Sequence, residues 1–493
     1  MDKQAIIRSI IVSSPEIIVI LGACLMLFVA LMKNKHQLNI LTGLSLAIVV
    51  LAAGITAGLV GAPQSAYGDT FVVDGLAIFF KAIFFLATAL TLFISKRYLE
   101  EENIGEGEYH ALLLFALVGM MIMVSGRDLL VIYMGLELQA LAFYVLVGYQ
   151  RRDPKSTEAA LKYVILGAVS SGIFLYGLSL VYGLTGTTEL SAIAVSLSGE
   201  EPPGLALILA ILFLMTGLLF KLGAVPFHMW VPDVYEGAPT PITAYLSVAS
   251  KAAAFAIVLR IFLEGMNQVG TIWIDAVTVI AVITMALGSF VALVQTNIKR
   301  MLAYSSIAHA GIALLGIVAG GQDGVASVML YLLIYTFMNL GMFAIIVMMR
   351  SGAVRGDNID DYTGLATSHP FWAFLALIFL FSLAGIPPTA GFFAKFYILV
   401  ALINQGYVVL AVIAVLLSAV AAYFYIRVIM VMYMKPPTRH FDLALTPMLR
   451  ISLVVAGIGT VGIGLIPGWF LDQAQNAAFE APLAQARSSS LLH

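Results

Sequence analysis

Charge is scarce in this chain. Only 25 Lys and Arg and 27 Asp and Glu occur among 493 residues, 11% in all, and the mean hydropathy is +1.02. A soluble domain carries about 25% charged residues, so a water-solvated globule is excluded and an integral membrane protein remains. Cysteine is scarcer still, with Cys24 alone. One thiol makes neither an intrachain disulfide nor an iron–sulfur cluster. A dinucleotide-binding glycine fingerprint after a strand is also lacking, as is a pair of haem-like histidines, so electrons do not run through this polypeptide. Segments that alternate apolar and polar residues over about 10 positions are missing, which excludes a membrane barrel. No small-residue cleavage site follows MDKQAIIRSIIVSSPEIIVI, so the start reads as leading into a full span rather than as a removed signal. The net charge of -2 has no bearing on partners when most of the surface faces lipid, and nothing supports nucleic-acid binding.

What the chain has in abundance is long apolar runs. A spanning helix needs about 20 apolar residues. Fourteen such stretches can be marked, at 14–32, 39–61, 72–95, 109–125, 128–149, 159–183, 204–227, 239–263, 272–294, 300–319, 324–349, 371–403 with a break, 407–434 and 448–470. The expected fold is an all-α polytopic membrane protein of about 14 transmembrane helices. Lys and Arg prefer cytoplasmic loops. With the amino terminus outside, the inner loops collect Lys33, Lys35, Lys96, Arg97, Arg151, Arg152, Lys155, Lys299, Arg300, Arg350, Arg355, Lys435 and Arg439, with Arg450 just beyond, against Lys3, Arg8, Arg127 and Arg487 outside. This asymmetry puts both termini outside.

Sliding the chain by 168 residues brings Tyr163 onto Tyr331, Phe213 onto Phe381, Gly217 onto Gly385, Gly223 onto Gly391 and Ser250 onto Ser418. The matched blocks are 109–263 (helices 4–8) and 272–434 (helices 9–13), preceded by three helices in 1–108 and followed by helix 14 and a tail in 435–493. Each block holds five spans, and an odd number makes the second copy inverted with respect to the first. Helices 7 and 12 are each interrupted, one by Pro226, Pro232, Pro239 and Pro241 just after Lys221, the other by Pro387, Pro388 and Gly391 just before Lys395. Proline removes a backbone donor, so both helices should break, and paired breaks in two halves point to an ion site.

Five ionisable residues sit inside apolar segments: Glu137, Lys162, Lys221, Lys251 and Lys395. Each costs on the order of 2.5–3.5 kcal/mol at mid-membrane on insertion scales, so each needs a partner, water or a task. Lys81 and Arg260 are read as reaching toward the interface along their aliphatic stems. His309 lies in a span with Tyr304, Ser305 and Ser306, and an imidazole can both accept and donate a proton. His228 beside Pro226 serves either the loop or a relay, and Asp233 and Glu236 read as capping or loop contacts.

The segments GLELQALAFYVLVGYQRRDPKSTEAALKYVILGAVSSG, KLGAVPFHMWVPDVYEGAPTPI, QTNIKRMLAYSSIAHAG and SLAGIPPTAGFFAKFYIL together resemble the N-subunit family of bacterial respiratory complex I, the NADH-quinone oxidoreductase. The resemblance covers essentially the whole chain. VPFHMWVPDVYEGAPTP marks the wider family that includes cation/proton antiporters. STEAALKY and the lysine before FY favour N, since the similar M subunit carries a glutamate there. The L subunit continues into a long lateral helix.

The resemblance implies a proton-translocating subunit that couples electron transfer from NADH to quinone, carried out elsewhere, to proton movement. On that reading Glu137 and Lys221 form an ion pair whose opening removes the carboxylate's compensation and releases a proton sideways. Lys251 receives it on a hydrated axis and Lys395 releases it, with Lys162 and His309 as further relay members and His228 and Tyr304 in a second tier; the alternatives are a structural contact for Lys162, only a few residues into its span, and a hydrogen-bonded packing role for His309. FMN and iron–sulfur clusters are expected in partner subunits and no cofactor on this chain. The implied partners are the M subunit, the small A, J and K subunits, the lipid bilayer and the quinone used by the complex, in a bacterial inner membrane with periplasmic termini. The alternatives are a stand-alone or Mrp-type cation/proton antiporter subunit and a membrane subunit of an energy-converting hydrogenase. Lysines repel metal cations, which favours protons as cargo.

Overall fold

The computed structural model describes residues 3–32, 36–102, 104, 107–199, 204–350, 355–437, 443 and 445–478. Lys33, Lys35, Arg439 and Arg487 of the charge asymmetry lie outside them. Among the described residues twelve helices are long and apolar enough to cross a bilayer, from Gln37–Gly58 to Pro447–Leu465. Lys3–Val12 and Ser14–Ala30, bent by 66° at their junction, make a thirteenth when taken together. The interrupted stretch 371–403 is two shorter apolar helices, Pro370–Ala384 and Ala390–Asn404. Each of the fourteen apolar stretches is therefore helical, and the twelfth is broken where its prolines lie.

Local chemistry sets the ends. The third long helix is Gly75–Glu102, starting later than 72, because Phe71–Val73 pairs antiparallel with Gln64–Ala66. Tyr67, Gly68 and Asp69 turn between them at positive φ. A short apolar run does not by itself separate strand from helix. The sixth, Pro154–Thr185, starts earlier than 159 because Asp153 accepts from the Lys155 amide at 3.0 Å and Pro154 occupies the first turn. It ends at Gly186, whose φ of 72° suits a left-handed cap. At 1.5 Å per residue its 32 residues run about 48 Å, well beyond an apolar core of about 30 Å.

The layers are nested. Thr240–Gly265 is wholly enclosed by protein, Ile298–Ala319 is 94% and Gly321–Met349 89% enclosed, while Asn267–Ala292 and Val408–Met434 are only 33% enclosed. Large apolar side chains such as Leu141, Val169, Val279 and Val409 point outward, as a lipid-facing surface requires. The three innermost helices carry Lys251, His309 and Asn339.

Each broken helix ends on a left-handed glycine, Gly223 at φ 70° after Leu205–Leu222 and Gly385 at φ 87° after Pro370–Ala384. Pro226 and Pro388 stand at the third position beyond. The 168-residue offset superposes Gly217 on Gly385, but Gly217 lies within its helix, where a Cβ would come 2.5 Å from Phe174. The capping glycine of that break is Gly223. Two segments of the enclosed helix, Leu246–Ser250 and Leu259–Gly265, are π-helical, a geometry that proline and glycine patterns do not announce.

Helix Leu129–Val147, which bears Glu137, presses backbone to backbone on Gly107–Ser125. A Cβ on Gly119 would lie 2.5 Å from the Gln139 nitrogen and 2.7 Å from the Gly135 oxygen. Small residues permit such approach between membrane helices. Gly119→Val should therefore destabilise the bundle by about 1–3 kcal/mol, because backbone cannot rotate aside. The readout is a lower melting temperature and lower abundance in membranes; a parent-like melt would contradict the packing.

Candidate functional site

Lys221 occupies the last turn of Leu205–Leu222, where the negative helix end favours a cation. It is buried, and its Nζ lies 5.9 Å from the centre of the Tyr144 ring. Glu137 is its charged neighbour, yet the two do not come within the 4.0 Å of an ion pair among the described residues. Glu137 Oε1 is buried without a hydrogen-bond partner. The pair is thus apart, with an aromatic face against the amine. Tyr144 meets Tyr163 edge-on at 4.9 Å, and Tyr163 stacks on Trp230 at 4.7 Å, which walls this site with rings.

Lys251 follows directly on the π-helical turn Leu246–Ser250. Its Nζ donates to the Ser306 carbonyl at 2.7 Å and to Ser306 Oγ at 2.5 Å. The same turn engages both neighbouring helices through side chains. Gln139, two residues from Glu137, donates to Ser250 Oγ, and Asn339 donates to Ser247 Oγ at 2.7 Å.

His309 sits one turn beyond Ser305. Its Nδ1 lies 2.5 Å from Tyr331 Oη and its Nε2 3.1 Å from Tyr425 Oη, and Tyr425 in turn bonds Ser305 Oγ. A neutral imidazole accepts at one nitrogen and donates at the other, and a phenol can serve either. Lys251 is bound at Ser306, three residues before this ring, and the helix that carries Lys395 packs against the same helix. Lys395 Nζ donates to the Ala384 carbonyl at 2.8 Å and the Leu383 carbonyl at 3.2 Å. These are acceptors that a helix end leaves without intrahelical partners. A Cβ at Gly385 would meet Lys395 Cδ at 3.0 Å, so glycine is needed both for its φ and for the lysine's path.

Lys162 lies apart from this row. Its side chain is 41% exposed, and its Nζ reaches Asp233 Oδ2 and Glu158 Oε1, each at 2.7 Å. Asp233 also binds Arg300 at 2.9 Å, Arg300 binds Glu236 at 3.1 Å, and Glu236 binds Lys155 at 2.9 Å. Lys299 Nζ donates to the Glu236 and Ala238 carbonyls at 2.7 and 2.9 Å. The short helix Trp230–Gly237 is therefore pinned by four basic residues, and Asp233 and Glu236 tie helices together as well as holding the loop. Burial alone would raise the Asp233 carboxyl; Lys162 and Arg300 outweigh it and hold the group below its ordinary range. Tyr304 is close enough to act on Arg300 and so belongs with this cluster. His228 is half-buried beside the break, its Nδ1 without a partner, and burial pushes the imidazole below its ordinary value.

Two basic residues do not reach for the interface as expected. Lys81 is fully buried in an ion pair with Glu16 at 2.6 Å, and Arg260 is fully buried against Asp74 at 2.8 Å and Glu264 at 3.1 Å. Carboxylates close by make the buried position affordable, so no snorkelling is needed. Sequence reasoning passed over Glu16, Tyr144, Tyr331 and Tyr425. For the tyrosines a signal was present, since a phenol at mid-span needs a hydrogen-bond partner. Glu16 reads as an ordinary first-turn acid.

The Lys162–Asp233 contact is part-exposed, so a double-mutant cycle of Lys162→Gln with Asp233→Asn should give a coupling that is small beside either single variant's shift in melting temperature. A coupling as large as those shifts would place the pair in a drier setting than this.

The transmembrane family described as NADH:quinone oxidoreductase/Mrp antiporter matches residues 126–421. NADH-quinone oxidoreductase subunit N 2 of Rhizobium meliloti is 60% identical over 97% of this chain and 100% of its own length. Subunit N of Rhodospirillum rubrum is 44% identical over 96% and 98%. Among solved structures, a chain of respiratory complex I from Thermus thermophilus superposes with a TM-score of 0.80 at 30% identity, covering 94% of this chain and 100% of that one. A chain of the Mrp complex from Dietzia shares the fold, with a TM-score of 0.80 at 20% identity over 96% and 97%. With 60% identity along nearly its whole length, this polytopic membrane chain belongs to the family of NADH-quinone oxidoreductase N subunits.

Proposed function

We propose that this chain translocates protons as the N subunit of NADH-quinone oxidoreductase, while NADH oxidation and quinone reduction proceed on other subunits. The observation that carries the reading is the company the buried amines keep. Lys251 and Lys395 are bound by carbonyls and a hydroxyl, and Lys221 stands off its carboxylate. Lys81 and Arg260, by contrast, are closed onto acids. A lysine closed onto an acid is held as its ammonium, whereas one that loads and unloads protons must be stable in both forms.

In the proposed sequence Glu137 approaches Lys221 to stabilise its ammonium and withdraws to release it, a reading supported by the separation of the two side chains. The proton passes to Lys251, whose Ser306 contact leads to the His309 segment. His309 takes a proton at one nitrogen and gives one from the other, with Tyr331 and Tyr425 holding the ring, and Lys395 discharges it. His228 and Lys162 supply protons to the first site or brace the loop beside it.

The same reading includes two inverted five-helix blocks, 109–263 and 272–434, supported by the matching glycine caps and prolines of the two breaks. It includes the bacterial inner membrane with both termini periplasmic, supported by the loop charges. Its partners are the other membrane subunits of the complex, M among them, and the cofactors FMN and iron–sulfur clusters reside in partner chains.

Membranes carrying Lys221→Met, Lys251→Met or Glu137→Ala should contain parent-like amounts of assembled complex but pump at roughly a tenth or less of the parent's rate. An added barrier of about 1.4 kcal/mol in one transfer step is enough for that. Undiminished quinone-linked pumping in these variants would remove the proposal.

A further inference from the structure

The enclosed helix Thr240–Gly265 carries a second buried cation that the relay does not use. Near its last turn Arg260 is wholly inaccessible. Its Nη2 meets Asp74 at 2.8 Å, its Nη1 meets Glu264 at 3.1 Å, and its Nε donates to the Val124 carbonyl at 2.6 Å. Arg127 Nε lies 2.8 Å from the other oxygen of Glu264. Three parts of the chain remote in sequence are thereby stitched together at one end of the helix, opposite the end held by Lys299.

Between Lys251 and Arg260 the helix reads AAAFAIVL, and every one of those side chains is buried. Nine residues at 1.5 Å separate the two cations by about 13 Å along the axis. Nothing along this stretch of the helix can carry a proton. At its far end a guanidinium keeps its proton at any physiological pH and has its fork occupied. One oxygen of Asp74 accepts both from the Arg260 guanidinium and from the Ala77 amide, each at 2.8 Å, so its acceptor is taken up inside the cluster.

We infer that the Asp74–Arg260–Glu264–Arg127 cluster is an insulating seal that closes this end of the central helix to protons residing at Lys251, leaving the lateral route through His309 to Lys395 as the way out. The inference rests on the proton-relay reading above. Stability alone explains such a cluster poorly, because a buried ion pair is rarely better than apolar packing of the same volume. A pump, however, needs a barrier that no rotamer change turns into a relay.

The test uses the whole complex in proteoliposomes. Arg260→Lys keeps a cation beside Asp74 but replaces a guanidinium that cannot release its proton with an amine that can, and it leaves part of the fork unfilled. The expected result is parent-like assembly and NADH oxidation, a several-fold rise in passive proton entry after a pH jump without NADH, and a smaller steady pH gradient with it. Adding Lys251→Met should return the passive flux to the parent level. Glu264→Gln, which leaves the Asp74 contact in place, should raise the flux in the same way and serves where Arg260→Lys lowers assembly. Parent-level passive flux in both variants overturns the seal, as does a leak that persists with Lys251→Met. Failure of the relay reading looks different: Lys251→Met alone would then pump normally.

Discussion

An ammonium deep in a bilayer must be hydrogen-bonded by something, and the rest of this structure follows from where the acceptors come from. An intact helix offers few, because its carbonyls already accept from its own amides and only a second lone pair is left. Acceptors appear only where a helix ends, swells or is crossed. Lys395 takes the terminal carbonyls of Pro370–Ala384, which exist because Gly385 and the prolines stop that helix inside the bundle. Lys251 takes a carbonyl and hydroxyl of the neighbouring helix, next to a π-helical turn of its own. Lys221 sits at the end of its broken helix and meets an aromatic face. For Lys395 the break is therefore the means by which an amine is tolerated at depth, while Lys251 relies on a spare lone pair and a hydroxyl of an unbroken helix.

The described residues hold two kinds of buried cation, and the difference lies in their partners. Closed ion pairs, as at Lys81 with Glu16 and Arg260 with Asp74, fix charge in place. Hydroxyl and carbonyl shells, as around Lys251 and Lys395, serve ammonium and free amine alike, since a carbonyl accepts an N–H from either form and a hydroxyl can also donate to the amine's lone pair. Burial is the same in both kinds. Partner chemistry separates wiring from insulation.

Much of this was legible in the residue order. Runs of about 20 apolar residues locate helices because the bilayer imposes length, and the prolines beside Lys221 and Lys395 locate the breaks because a missing amide cannot be disguised. Lys251, Lys395 and His309 stood out because charge and imidazole are rare in such runs. What escaped was set by packing. That Glu137 stands off Lys221, that Gly223 rather than Gly217 caps its helix, and that Phe71–Val73 form a strand all depend on contacts between distant segments. Lys162, only a few residues into its span, left relay and structural contact both open, and the excess length of Pro154–Thr185 carries it out to Asp233 and Glu158.

The π-helical turn at Leu246–Ser250 holds one more residue per turn than its surroundings, and this has a bearing on how the chain can change over evolutionary time. Losing a single residue there would restore ordinary winding and leave everything after it near its present phase, because four α-helical residues turn the chain about as far as five π-helical ones. Lys251 and the arginine nine positions on would keep their bearings, and what would change is the swollen turn through which Ser247 and Ser250 meet Asn339 and Gln139. A one-codon deletion in this stretch is accordingly a change that the rest of the helix can absorb, its effect confined to the two bonds that the wider turn makes.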